Sequence, residues 1–215
     1  MAGEDLTETI DFDTLVRRLE ALDTGRRRHF VAVAGAPGSG KSAVSERLVA
    51  RLNAQPTAQA AILPMDGFHY DNIYLEPLGL LPRKGAPETF DVAGFESTLA
   101  RLSDGSGRAV AVPVFDRSIE VARAGARVIS PEIRLVIVEG NYLLLDRPYW
   151  RDLSPYFDIT VFLDVPIDVL HQRLLDRWTA LAPAAAVRQV DGNDLPNARL
   201  VISHSMPPDF RLPNE

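Results

Sequence analysis

Gly35-Ala36-Pro37-Gly38-Ser39-Gly40-Lys41-Ser42 has the spacing G-x-x-x-x-G-K-S, and residues of those types in that order can cradle the phosphates of a nucleoside triphosphate. The glycines let successive backbone N–H groups turn inward onto phosphate oxygens, Lys41 can bridge the terminal phosphates, and the Ser42 hydroxyl can ligate Mg²⁺. Such a loop works only between a strand and a helix. Residues 29–34 alternate like a buried strand and residues 43–52 carry a helical pattern, so the context is the required one. A mere glycine-rich turn would need neither Lys41 nor Ser42. The expected ligands are therefore a nucleoside triphosphate and Mg²⁺.

In a doubly wound sheet the ligand lies beyond the carboxyl ends of the strands, so the first polar residue after each apolar run is a candidate for chemistry. Asp66 follows AAILPM, Glu139 follows LVIV and Asp164 follows ITVFL. Asp66 opens a dense cluster, Asp66-Gly67-Phe68-His69-Tyr70-Asp71-Asn72, suited to accepting a hydroxyl proton. Asp71 and Asn72 read by default as caps, and Asp164, just before Val165-Pro166, as a helix-start residue. Glu139 could reach Mg²⁺ or a substrate hydroxyl. Asp116-Arg117 ends another apolar run and could either hydrogen-bond a polyhydroxylated or carboxylated substrate or form an ordinary surface ion pair. Arg173 and Arg177 stand four apart on one helical face, placed either as a lid over transferring phosphates or as solvated arginines. Leu170, Leu174 and Trp178 on that helix read as core. His171 and His204 lack a ligand-spaced partner.

The elements that must position these groups alternate. Residues 14–22 and 92–102 show helical spacing, 60–65 and 109–115 read as strands, and 119–129 suggest a hairpin around Ala124-Gly125 that could border a substrate site. Residues 135–138 and 159–163 are nearly unbroken apolar runs, as in parallel strands covered on both faces. Residues 169–181 read as a helix, 182–186 as a break containing Pro183, 199–202 as a late strand, and the segment from Pro207 as a loosely held tail. The fold expected is α/β, a three-layer doubly wound, mostly parallel sheet with helices on both faces. The 215 residues, 46% hydrophobic, suit one such domain over 1–215 with a small hairpin insertion at about 116–131.

A formal net charge of −6 argues against a nucleic-acid partner, for which a basic face supplies most of the affinity. Arg26-Arg27-Arg28 reads as a solvated helix end. The chain has no cysteine, excluding disulfides and thiolate metal sites. No basic and apolar leader pattern and no membrane-length apolar stretch is seen, so a cytoplasmic protein without membrane association is expected. Monomer and homodimer both remain open, dimers being the commonest outcome for soluble enzymes.

Taken in order, GAPGSGKS, MDGFHYDN, PVFDRS, VIVEGNYLL and RLLDRW resemble the P-loop kinase family that contains uridine kinase, bacterial pantothenate kinase and phosphoribulokinase. The resemblance runs over residues 29–202. LPRKGAPETFD, PVFDRSIEVARAG and NDLPNARLV look most like a bacterial branch described as fructose transport system kinases or fructokinases. The resemblance implies an ATP-dependent kinase acting on a small metabolite, a sugar such as fructose before a nucleoside or pantothenate. It makes Asp66 the base on the substrate hydroxyl, Glu139 a Mg²⁺ or active-site carboxylate and Arg173 a lid residue on the ATP phosphates. Arg83, His69, Tyr70, Asp116 and Arg117 become substrate contacts, and the neighbourhood of Arg177 and Asn197 the adenine side. The chain departs from uridine kinase at Gly67-Phe68-His69 and from pantothenate kinase in its shorter length. A nucleotide-dependent switch or regulatory ATPase is the rival of another class. No N-K-x-D guanine-reading element supports it, and the acid-rich loop from Asp66 to Asp71 has no purpose in a switch.

Overall fold

A computed structural model describes residues 7–22, 27–54 and 59–214. Along the chain the strands are β1 (Glu8–Thr9), β2 (His29–Gly35), β3 (Ala60–Pro64), β4 (Val110–Asp116), β5 (Val121–Ile129), β6 (Leu135–Gly140), β7 (Ile159–Asp164) and β8 (Phe210–Pro213). The helices are α1 (Phe12–Glu20), α2 (Lys41–Asn53), α3 (Asn72–Leu75), α4 (Val92–Ser103), α5 (Ile167–Arg177), α6 (Pro183–Gln189) and α7 (Leu195–His204). Six strands form one sheet in the order β1-β8-β7-β2-β6-β3, every neighbouring pair parallel. β4 and β5 form a separate antiparallel ribbon.

Strand periodicity divides the core. Phe30, Ala32 and Ala34 of β2, with Val136 and Val138 of β6, point to one face, where they meet Phe95 and Leu99 of α4, Leu170 of α5 and Ala198 and Val201 of α7. Val31, Val33, Leu135 and Ile137 point to the other, against Leu15, Val16 and Leu19 of α1 and Leu48 and Leu52 of α2. Side chains alternate across a strand, so an unbroken apolar run feeds both layers at once. Full burial of each valine, leucine, isoleucine or phenylalanine among them contributes roughly 1.5–3 kcal/mol. The result is the expected three-layer α/β fold.

Register brings the polar ends together. Val33 pairs with Glu139, Pro64 pairs with Glu139 from the other side, and Gly35 pairs with Leu163. The carboxyl ends of β2, β6 and β3 therefore stand level. Whatever follows β2 and β3 faces Glu139.

Several local expectations are corrected. Residues 199–202 lie within α7, whose buried Leu195, Ala198 and Val201 repeat every three residues; a short apolar run does not by itself distinguish strand from helix. Residues 183–186 begin α6, with Pro183 at its first turn, where proline lacks only a hydrogen bond the helix would not have made. The tail enters the sheet as β8, between β7 and β1. The hairpin is wider than 116–131. It spans 110–129, its turn lies between Asp116 and Val121 with Glu120 at φ 56°, and Ala124-Gly125 sit within β5. Of the arginine run, Arg26 lies outside the described residues. Arg28 is no solvated helix end, because it donates to the carbonyls of Ile133, Leu102 and Ser130 at 2.9, 2.7 and 3.0 Å. Arg27 pairs with Asp158. Among the described residues no helix is long and apolar enough to cross a membrane.

The ribbon is seated on the site by backbone contact. A 3₁₀ turn, Met65–Phe68, follows β3, and a Cβ on Gly67 would fall on the Pro113 carbonyl, 2.7 Å from its carbon. Pro113 also marks the register shift between Val112 and Val114. Backbone cannot move aside as a flexible side chain can. Gly67→Ala is expected to destabilise by about 1–3 kcal/mol, lowering Tm by several degrees at roughly 2–4 °C per kcal/mol. An unchanged calorimetric Tm would contradict this seating.

Candidate active site

The phosphate loop leaves β2 at Gly35, φ +155°, and ends at Gly40, φ +86°, which caps α2 with no side-chain hydrogen bond. The first N–H groups of α2 are thus left without a side-chain partner at the positive end of its dipole, where an anion is favoured. Gly40 is doubly constrained, since a Cβ there would lie 2.6 Å from Asn214 Nδ2. That amide donates to Ser39 O at 2.7 Å, tying the segment after β8 to the loop. Lys41 Nζ donates to Ala36 O at 2.9 Å and Ser39 Oγ at 3.4 Å. Burial pushes its ammonium down to about 8, against the pull of Glu139 and Asp66 in the opposite direction. A buried cation of this kind is stabilised by phosphate oxygens.

Ser42 Oγ donates to Glu139 Oε2 at 3.3 Å. Glu139 is 7% exposed, and burial, reinforced by Asp66, pushes its carboxyl up to about 6. Among the described residues no cluster of three or more His, Asp or Glu could hold a metal ion. Mg²⁺ does not require one, because it keeps several waters and uses one or two carboxylates together with substrate phosphates. The Ser42 hydroxyl and a buried carboxylate short of positive charge fit that donor set.

A cavity of about 760 Å³ opens over these groups. Asp66, in the turn after β3, faces it, with Oδ2 accepting from Arg117 Nη2 at 2.8 Å. His69 Nδ1 lies 2.8 Å from Asp66 O, and burial holds the imidazole below its usual range. A carbonyl can only accept, so Nδ1 carries the proton and Nε2 of the neutral ring is an acceptor. Phe90 and Phe115 pack against the ring in tilted contacts, at 4.0 and 4.7 Å between centroids. Lys41, Ser42, Asp66, His69, Arg117, Glu139, Arg177 and Asn197 all line this cavity.

Other anticipated residues lie elsewhere. Arg173 is outside the lining, its Nη1 donating to Asn214 O at 3.1 Å; Arg177, one turn on, is the α5 arginine that reaches the cavity. Arg83 is engaged by Asn193 at 2.9 Å, Asn197 at 3.4 Å and Glu88 at 3.5 Å. It binds the chain segment after α3 to α7. Tyr70 stacks on Tyr74 at 4.8 Å, away from the cavity. Asp116 accepts from Ser118 and Arg123 in the hairpin, and those bonds, Ser118's first, hold its carboxyl below the usual range. Asp71 caps α3 through Ile73 N, whereas Asn72 turns to the cavity and accepts from Lys84.

Lys84, Asn72, Glu120, Asn141, Trp178 and Asp194 line the cavity although sequence reasoning named none of them as a site residue. Trp178, expected in the core, donates Nε1 to Asp194 Oδ2 at 2.6 Å. Asp194 belongs to a π-helical turn, Val190–Asp194, between α6 and α7, a distortion that often marks functional positions. Asn141 carried one usable signal, its place two residues after Glu139. Lys84 carried another, its place beside Arg83.

The family model for the phosphoribulokinase/uridine kinase family matches residues 30–180. A crystal structure from Silicibacter sp. TM1040, provisionally named a fructose transport system kinase, is 45% identical with a TM-score of 0.87, covering 94% of this chain and 98% of that one. Escherichia coli (strain K12) YggC, itself named uncharacterized, is 37% identical over 89% of this chain and 81% of its own length. A Schizosaccharomyces pombe protein provisionally named a uridine kinase is 31% identical over 97% of this chain and 92% of its own length. With its phosphate loop, parallel sheet and facing carboxylates, the chain belongs to the phosphoribulokinase/uridine kinase family of P-loop kinases.

Proposed function

We propose that this kinase transfers the γ-phosphoryl group of ATP, with Mg²⁺, to a hydroxyl of a small polyhydroxylated metabolite, a sugar such as fructose. The observation that carries the reading is the convergence of Lys41, Ser42, Glu139 and Asp66 on one cavity at the carboxyl ends of β2, β6 and β3. The sugar rests on the name of the 45% identical Silicibacter structure.

The α2 N-terminus and Lys41 hold the β- and γ-phosphates. Held by Ser42, Glu139 and those phosphates, Mg²⁺ would neutralise charge on the transferring group. Asp66 orients the acceptor through Oδ1, since Arg117 occupies Oδ2, and neutral His69 accepts a second hydroxyl. The acceptor oxygen bonds to the γ-phosphorus, the bond from that phosphorus to the β,γ-bridging oxygen breaks, the hydroxyl proton passes to Asp66, and ADP leaves. Arg177, facing the same cavity, meets the developing charge; burial already holds its guanidinium below its usual range. Catalysis is mainly positioning and electrostatics.

ADP release with Mg·ATP across fructose, other ketoses and aldoses, uridine, cytidine and pantothenate, with Lys41→Ala as blank, tests this reading. Lys41-dependent stimulation by a sugar is expected. Stimulation by uridine alone would move the acceptor to nucleosides, and no stimulation by any acceptor would favour a nucleotide-dependent switch.

A further inference from the structure

Lys84 is a cation built into the acceptor side of the cavity, and among the described residues no carboxylate forms an ion pair with it. Its Nζ donates to Asn72 Oδ1 at 2.6 Å and Glu120 O at 2.8 Å, and it stands 5.1 Å from the Phe115 ring centroid. An ammonium has three N–H donors, so one donor and the full charge remain for a ligand. Glu120 and Asp71 act on it electrostatically, but among the described residues neither forms an ion pair with it. Arg117, also facing the cavity, is paired with Asp66.

The backbone around Lys84 is held from several directions. Its carbonyl accepts from Asn193 Nδ2 at 2.9 Å. Next to it, Gly85 takes φ +96°, donates its N–H to Thr89 Oγ1 at 3.0 Å, and accepts from the Tyr142 hydroxyl at 2.6 Å. Arg83 on the other side is fixed by Asn193 and Asn197. A surface lysine needs no such support. These contacts fix the backbone at Lys84, while Asn72 and Glu120 hold its ammonium at the cavity wall before any ligand arrives, the arrangement a specificity contact requires.

From this geometry we infer that the acceptor carries an anionic group, a carboxylate or a phosphate, as well as its hydroxyls, and that Lys84 binds that group. This rests on the phosphotransfer reading and narrows its substrate class to acidic polyols, that is sugar acids or sugar phosphates, over the neutral sugar. Burial holds the Lys84 ammonium below its usual range, an expense that an anionic ligand offsets.

The test is steady-state ADP release with matched pairs, fructose against fructose 6-phosphate and glucitol against gluconate, for wild type, Lys84→Met and Lys84→Arg. The two pairs separate phosphate from carboxylate. In at least one pair the anionic member should show a KM roughly tenfold or more below its neutral partner, as expected for a charge-assisted hydrogen bond. Lys84→Met should erase most of that difference and Lys84→Arg restore part of it. A purely structural role would raise both KM values of a pair alike. Should Lys84→Met fail to fold, the wild-type pair ratio and its decline between 0.05 and 0.5 M salt decide the question. A preferred neutral acceptor, or an equal effect of Lys84→Met on both members, would overturn the inference and leave the kinase reading intact. Failure of every acceptor in the presence of Lys41-dependent ATP binding would overturn both.

Discussion

Replacing Asp66 with Asn is expected to reduce kcat by about 10²–10⁴-fold, the usual range for losing a positioned general base, while ATP affinity changes little. Asn keeps the shape and can still meet Arg117 through its carbonyl, but it cannot take the acceptor proton. Only the ionic part of the Asp66–Arg117 contact is lost, and with the arginine side chain 60% exposed its contribution to stability is small. Single-turnover kinetics and calorimetric ATP titration separate the two effects. Full turnover in Asp66→Asn on a verified acceptor would remove Asp66 from the base role. A matched fall in ATP affinity would instead place the residue on the nucleotide side.

Glu139→Gln should have opposite effects on activity and stability. Its carboxyl is raised to about 6 in the fold against 4.5 for an ordinary glutamate. Between those values the folded chain holds a proton that the unfolded chain has released, so stability falls as pH rises through the interval. Above about pH 6 the ionised Glu139 therefore destabilises the ligand-free fold by up to about 2 kcal/mol. Gln removes that charge. The variant should melt higher than wild type at pH 7.5, and the difference should vanish below pH 4.5. Turnover should fall by 100-fold or more, because the carboxylate proposed to hold Mg²⁺ is gone. A variant that melts lower at neutral pH would show that the carboxylate is fully compensated without a metal. Lys41 carries the complementary burden. Its ammonium, lowered to about 8 from 10.5, weakens the fold below pH 8, and stability from this group rises with pH between those values. Bound phosphates would relieve Lys41, as Mg²⁺ would relieve Glu139.

These strained groups are also the ones that sequence could place. The glycine loop, Lys41 and Ser42 follow one another in the chain, and their geometry is local. Asp66 and Glu139 stand at the ends of apolar runs, where the two-faced burial of β3 and β6 stops. The two-sided core was legible for the same reason, since runs such as LVIV must feed both layers. Legibility failed where tertiary context overrode local pattern. The residues RLVI of α7 are too few to distinguish helix from strand, and a proline-bearing tail gave no hint that β8 would be captured between β1 and β7. Arg173 and Arg177 share a helical face, yet Asn214, distant in sequence, engages only the first. Lys84 and Asp194 reach the cavity from segments more than a hundred residues apart, joined by Asn193. No spacing rule could have paired them.

The central claim, that a hydroxyl of a small polyol receives the γ-phosphoryl group, is tested most directly by ³¹P NMR of the products formed from Mg·ATP and the best acceptor of the panel. A new phosphate monoester appearing in step with ADP, and absent with Lys41→Ala, is the expected result. ADP accompanied only by inorganic phosphate, at a rate indifferent to every acceptor, would contradict it.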